Sequence, residues 1–284
     1  MILKTLVKVP VCAEYPKLPP NMTKNICPAC GFSRLWSVRR NRRKCKRCRK
    51  EFGLKRYPIS GFRATEAEWL MCIGTFLRER TIGRVREDMG RSHGLAERMV
   101  MRLRRNMSDD PLPRMEGPVE IDETYIGGQR KNKCLHIRRI KGKRGHGTDK
   151  LPIVGLFDRP TGSVAVFVEP KKLDIVFIIR TLEERADPGA FVYSDGFKMY
   201  RRMSAHGFRH EWVDHAGGEY VRGDVHTNNI EGFWGILKRK MGCIGGMRRK
   251  YLRLFVGEIV WKFNHGKLSH EKQKRALWEL VLRS

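Results

Sequence analysis

Two short cysteine pairs, Cys27 with Cys30 in CPACG and Cys45 with Cys48 in CKRC, are separated by fourteen residues and constrain the N-terminal fold more than any other feature. Each C-x-x-C turn aims two thiolates at one point, and two such turns at this distance have the spacing of a four-thiolate zinc site. The segment between them has too little apolar content to fold by burial, so a bound Zn2+ is expected to supply the folding energy. Four thiolates leave no open coordination position, which makes that ion structural and leaves chemistry to other residues. The remaining cysteines, Cys12, Cys72, Cys134 and Cys243, lack such spacing and read as ordinary thiols.

Basic residues crowd the same segment. Residues 34–56 carry twelve Lys or Arg against the single acid Glu51, and the whole chain carries 59 against 30, a net charge of +29. Folding does not require such an excess; a polyanionic partner does. Arg39, Arg40, Arg42, Arg43 and Lys44 are expected to project from a loop between the knuckles as phosphate contacts, with Lys46, Arg47, Arg49 and Lys50 around the second pair. A second basic run, residues 129–150, sets nine Lys or Arg against Asp149. No apolar run approaches the roughly 18 residues that span a bilayer, and the first twenty residues lack a signal peptide's apolar core. A membrane partner and secretion are therefore not expected. The chain should work in the cytoplasm or nucleoid of a bacterium or the nucleus of a eukaryote.

Residues 63–106 read as three helices. Thr65 and Glu68 form a capping box ahead of Trp69, Ile73, Phe76 and Leu77 at helical spacing. Thr81 opens a second helix ending at Gly90, and Ser92 a third in which Leu95, Met99 and Leu103 recur every four residues. That third helix exposes Arg98 and Arg102 in this reading, and a short helix, a glycine turn and a basic helix form a helix-turn-helix-like unit suited to double-stranded DNA. An ordinary helical spacer with a solvated face is the plainer alternative.

The aperiodic, proline-rich segment 108–117 separates this region from a new core. Val119–Ile126, LPIVGLFD and SVAVFVEP read as strands, followed by a helix over 173–185, a buried strand ending at Ser194, a helix over 199–206, a short strand in FRHEWVD, and helical segments beyond. That order is α/β with an antiparallel start and matches a ribonuclease H-like fold. The boundaries are thus a ribbon at 1–60, a helical DNA-binding region at 61–107, a linker at 108–117, and a catalytic domain with C-terminal helices at 118–284.

Three acids stand in separate segments of that domain: Asp122 in VEIDETYIGG, Asp195 in FVYSDGFKMY and Glu231 in HTNNIEGFWGILKR. Carboxylates from different elements are what a pair of divalent ions needs for in-line attack on a phosphodiester. Strand alternation lets only one of Asp122 and Glu123 face such a site. Glu231 also has a structural alternative, because Asn228 three residues earlier makes an Asn-x-x-Glu capping pair. Lys238 follows Glu231 by seven residues along one side of an amphipathic helix, about 10 Å further on, where DNA phosphate could bridge the two.

Taken together, the double C-x-x-C ribbon, Asp122-Glu123-Thr124-Tyr125 with Gly127 and Gly128, Ser194-Asp195-Gly196 with Tyr200, and His226, Asn228, Ile230, Glu231, Phe233, Trp234 and Lys238 resemble the DDE transposases of the Merlin and ISXO-type insertion-sequence group. The resemblance runs nearly the full length, with Ser194 where Thr is usual. It implies binding to terminal inverted repeats, cleavage that exposes a 3′-OH, and attack of that hydroxyl on target DNA. It also implies two Mg2+ or Mn2+ ions held by Asp122, Asp195 and Glu231, with Lys238 on DNA and His226 either near phosphate or water or capping and packing at the helix start. Joining two ends implies a homodimer or higher oligomer on DNA. A structure-specific nuclease of the same fold, or a zinc-ribbon regulator without catalysis, remain as alternatives.

Overall fold

The computed structural model describes residues 27, 29–39, 42–53, 59–79, 81–112, 114–127, 135, 139, 150–168, 173–197, 199–214, 217–219, 221–244 and 248–283. Arg40, Cys12, Cys134, Gly128 and most of the basic run 129–150 lie outside them. The chain forms two compact units, one of residues 1–106 with 268–284 and one of residues 107–267.

In the first unit, β1 (Leu35–Val38), β2 (Arg42–Cys45) and β3 (Glu51–Gly53) form a three-stranded antiparallel sheet. Arg42, Arg43 and Lys44 therefore lie on a strand rather than in the loop expected for them. β1 and β2 pair from Val38↔Arg42 to Leu35↔Cys45. Three helices follow: α1 (Glu66–Leu77), α2 (Ile82–Met89) and α3 (His93–Ser108). Their ends follow local chemistry. Thr65 accepts the Glu68 N–H at 3.3 Å while the Glu68 carboxylate accepts the Thr65 N–H at 2.6 Å. Thr81 accepts the Arg84 N–H at 3.2 Å, and Gly90 closes α2 at φ 60°. Trp69, Ile73, Val85, Met99 and Leu103 are buried.

The final helix, α7 (His270–Arg283), packs against α1 and buries Leu277, Trp278 and Val281. The 118–284 boundary placed it with the catalytic domain; the compact unit it joins is the helical one. Its amphipathic stripe specifies that one face is covered but not by what.

The second unit is a five-stranded mixed sheet in the order β6-β5-β4-β7-β8, built from β4 (Val119–Ile126), β5 (Leu151–Asp158), β6 (Ser163–Val168), β7 (Phe191–Asp195) and β8 (Arg209–Val213). β4, β5 and β6 run antiparallel in succession, and β4–β7 and β7–β8 are parallel. Between β6 and β7 the chain crosses through α4 (Ile175–Arg185), as a parallel connection requires. Residues 200–206 form a 3-10 turn, then α5 (Asn228–Gly242) and α6 (Leu252–Asn264) complete the unit. Side chains alternate along β4. Val119 and Ile121 join Ile178, Leu182, Val192, Tyr200 and Met203 in one apolar core. On the other face Ile153 and Val164 meet Ile230, Phe233, Trp234 and Leu237 of α5 and Val256 of α6. The mixed α/β architecture expected from the sequence is what forms. No helix among the described residues is long and apolar enough to cross a membrane.

Candidate active site and metal centre

The four knuckle cysteines bring their sulfurs within 4.8 Å of one another. Cys27 and Cys48 Sγ are 3.5 Å apart, and Cys30 and Cys45 Sγ 3.6 Å. A tetrahedron with Zn–S bonds of about 2.3 Å has edges of about 3.8 Å, so the set fits one Zn2+. Backbone N–H groups support the sulfurs: Ala29 donates to Cys27, and Arg47 and Cys48 to Cys45. Desolvation opposes ionisation of Cys45, but the donors from Cys48 and Arg47 outweigh it and push the thiol down to about 6, whereas at Cys48 the Lys50 N–H is outweighed by desolvation and the neighbouring cysteines, which push that thiol up to about 12. A thiolate is the form a metal takes.

In the second unit, β4 and β7 run side by side with Val119↔Val192 and Glu120↔Tyr193 in register. Continuing that parallel register sets Asp122, in the middle of β4, beside Asp195 at the C-terminal end of β7. Asp122 faces α5, where Trp234 Nε1 donates to its Oδ2 at 2.9 Å. Glu123, one residue on, faces the other side of the sheet and accepts from the buried Tyr200 hydroxyl. Burial first, then the charges of Glu123 and Asp195, raise the Asp122 carboxyl to about 8 despite the Trp234 bond. Burial and Asp195 raise Glu123 to about 7, against the Tyr200 bond. Three carboxylates thus repel one another in a partly buried corner. Hard oxygen donors of this kind are what Mg2+ or Mn2+ prefers.

Glu231 lies in the first turn of α5, one helical turn before Trp234. Its side chain is exposed and turns back on its own helix, where the Thr227 hydroxyl donates to Oε1 at 2.7 Å. Among the described residues the carboxylates of Asp122, Asp195 and Glu231 do not all come within 4.8 Å of one another. The structure therefore sets the first two acids side by side and holds the third on Thr227. Lys238, exposed on the same helix, follows two turns later.

The capping pair considered for Asn228 does not form: Thr227 occupies the N-cap position and makes no side-chain cap bond. Glu120, the second residue of β4, takes that part. Its fully buried carboxylate accepts the N–H groups of Asn229 and Ile230, both at 3.0 Å, and the Asn229 side-chain amide at 2.7 Å. Arg159 balances the charge through Nε at 2.7 Å to Glu120. The same guanidinium donates to the Asp224 carbonyl at 2.6 Å and to His226 Nδ1 and carbonyl, both at 2.9 Å. His226 thereby becomes part of the joint that fixes the start of α5. Sequence reasoning missed Glu120 and Arg159. The available signal was Glu120's place two residues from Asp122, on the same strand face.

The basic residues separate by environment. Arg39 is exposed at the ribbon turn, and Arg42 and Lys44 flank Glu51 at 4.0 and 3.9 Å. Arg98 is exposed on α3, with its guanidinium 5.9 Å from the Phe62 ring centre. Arg102, expected on the exposed side, is half-buried with Nε enclosed. Its position next to buried Met99 and Leu103 on the helix surface draws it inward.

A protein of the transposable element ISH50 from Halobacterium salinarum, described as uncharacterized, is 33% identical over 248 residues, 81% of this chain and 83% of its own. An uncharacterized transposase-like protein of Haemophilus influenzae is 23% identical over 94 residues, 33% of this chain and 76% of its own. Among solved structures, a chain of the simian T-cell lymphotropic virus intasome with the PP2A regulatory subunit B56 gamma aligns at 13% identity and a TM-score of 0.32, covering 68% of this chain and 67% of that one. So loose a superposition has no bearing on the fold. The model of the ISXO2-like transposase domain matches residues 114–264, more than half of the chain and nearly all of the unit that holds the acids. With that match and the ISH50 relative, the chain belongs to the ISXO2-like transposase family.

Proposed function

We propose that this transposase binds the terminal inverted repeats of its element, cleaves there by metal-dependent attack on a phosphodiester, and joins the resulting 3′-OH to target DNA. The observation that carries the reading is the register that sets Asp122 beside Asp195 on adjacent parallel strands, with α5, which carries Glu231, packed on β4 through the Trp234–Asp122 bond. The strand order β6-β5-β4-β7-β8, with its antiparallel start and two parallel additions, supports a ribonuclease H-like assignment. Asp122, Asp195 and Glu231 would hold two divalent ions, Glu231 after leaving Thr227. Mg2+ or Mn2+ so held supplies positive charge to the attacking and leaving oxygens. The chain's own part is positional: Trp234 fixes Asp122, Tyr200 holds Glu123 aside, and Lys238 neutralises DNA phosphate beyond Glu231. The ribbon, with its Zn2+, and α3 contribute the sequence-independent attraction to double-stranded DNA. Two ends must be held together for joining, so the active form on DNA is a homodimer or larger.

The test is incubation of the protein with its own element's ends and Mg2+ or Mn2+, beside Asp195→Asn and Glu231→Gln. Loss of both 3′-end cleavage and strand transfer in each variant is expected. Full activity in either variant removes that acid from the site. Cleavage without joining by the wild type would make the chain a nuclease instead.

A further inference from the structure

The two ribbon knuckles share one hydrogen-bond pattern. In the first, the Gly31 N–H donates to the Cys27 carbonyl at 2.9 Å and the Cys27 N–H to the Phe32 carbonyl at 2.8 Å. In the second, the Arg49 N–H donates to the Cys45 carbonyl at 3.1 Å and the Cys45 N–H to the Lys50 carbonyl at 3.0 Å. Gly31 and Arg49 therefore occupy equivalent positions, and both have positive φ, 71° and 60°. That region costs glycine nothing and strains a residue with a Cβ. The first knuckle uses glycine; the second retains an arginine in a conformation it disfavours.

What the arginine does there is visible in its surroundings. Its guanidinium carbon sits 4.8 Å from the centre of the Trp36 ring, and Lys46 Nζ lies 5.7 Å from the same ring. Trp36 is 38% exposed on β1, and Arg49 is exposed as well. Among the described residues Arg49 makes no ion pair, whereas Arg42 and Lys44 share Glu51. A cation–π contact at an exposed site returns about what the left-handed backbone costs, so ribbon stability gives no net reason to prefer Arg over Gly. A guanidinium seated on an indole keeps its N–H donors free and pre-oriented for a bidentate contact with a phosphate.

We infer that Arg49, supported by Trp36, is a DNA-phosphate contact of the ribbon. The inference rests on the reading of this chain as a DNA-binding transposase. It is tested on the full-length protein with a duplex carrying the element's end, by following affinity against salt together with zinc content and melting temperature. Arg49→Gly should keep its zinc and melt no lower than wild type. Its affinity should fall several-fold near ~0.1 M salt, and the slope of log K against log salt should shrink by about one. Arg49→Lys, which keeps the charge but not the fork, should bind between the two with the wild-type slope. Wild-type affinity and slope in Arg49→Gly overturn the inference, and reduced zinc retention alongside them would mark a packing role. Should Arg49→Gly shed zinc, Arg49→Lys decides: wild-type affinity there overturns the inference. The double variant Arg42→Ala with Arg43→Ala separates the two levels. If it weakens binding while Arg49→Gly does not, only the Arg49 assignment fails; if neither weakens it, the ribbon does not bind DNA.

Discussion

Gly155 pairs with Asp122 across the β4–β5 ladder, and a Cβ at that position would lie 2.5 Å from Trp234 Cη2 and 2.8 Å from Ile230 Cδ1. The missing side chain is what lets α5 close on the sheet and lets Trp234 reach Asp122. Gly155→Ala should therefore cost about 1–3 kcal/mol in urea unfolding through overpacking. It should reduce strand cleavage beyond that loss, since the Asp122 bond goes with Trp234. Wild-type values for both would mean that α5 accommodates the methyl and the close approach is unimportant. A second residue, His210, contributes through pH. Burial lowers its imidazole to about 4, and Nε2 lies 2.8 Å from Ser194 Oγ. The unfolded chain takes up this proton near 6.5 and the folded chain only near 4, so the stability it adds is complete above 6.5 and is lost as pH falls between them. Asp122 and Glu123, raised instead, work in the opposite direction over the same range, so the variant must be compared with wild type at each pH. Any stability deficit of His210→Gln should shrink steadily from pH 6.5 to 4; a constant deficit would show that His210 does not titrate on unfolding. Neither residue declared itself in the sequence, because a glycine in a strand and a histidine in another acquire meaning only from what packs over them. Asp122 and Glu123 were adjacent candidates for the same reason: alternation says that they part, and only the neighbouring elements say which way.

At the scale of elements, α1 and α5 illustrate what local sequence encodes. The capping box of α1 was legible because donor and acceptor lie three residues apart in the chain. The stripe of α5, Ile230 through Leu237, was equally legible, but its N-terminal anchor was not. The carboxylate that receives its first N–H groups comes from β4, 109 residues away from Asn229. Asn228 offered a local solution, and the buried Glu120–Arg159 pair offers a stronger one because it also ties the helix to the strand carrying Asp122. Removing one member of such a pair strands the other's charge, so Glu120→Ala should cost about 3–5 kcal/mol. Glu120→Gln, which retains an acceptor oxygen, should cost less. Hydrogen exchange gives the specific signature. The Asn229 and Ile230 amides should lose protection in both variants, more so than amides in the centre of β5. Uniform loss across the sheet would point to general destabilisation, and unchanged protection would mean that α5 is anchored elsewhere.

At the scale of the whole chain, the helical unit is discontinuous: it is left at Asn106 and completed only from Leu268 onward. Nothing in the chain's order signals this, since hydrophobic periodicity identifies a covered face without identifying the cover. The consequences for folding are nevertheless definite. α7 buries Leu277, Trp278 and Val281 against its own unit, each worth about 1.5–3 kcal/mol, a sum comparable with the whole stability of a small domain. A chain ending at Lys267 should therefore lose the cooperative fold of the helices while the sheet unit keeps its own two cores. Conversely, residues 107–267 form a continuous segment with complete strands and should fold alone. Limited proteolysis of the truncated chain checks both statements, with cuts expected throughout 66–106 and a resistant fragment beginning near Met107. Retained protection of α1 and α3 without α7 would show that the helical unit is closed by its first three helices. Collapse of the 107–267 fragment on its own would show that the sheet depends on the helices, and the division into two folding units would fail.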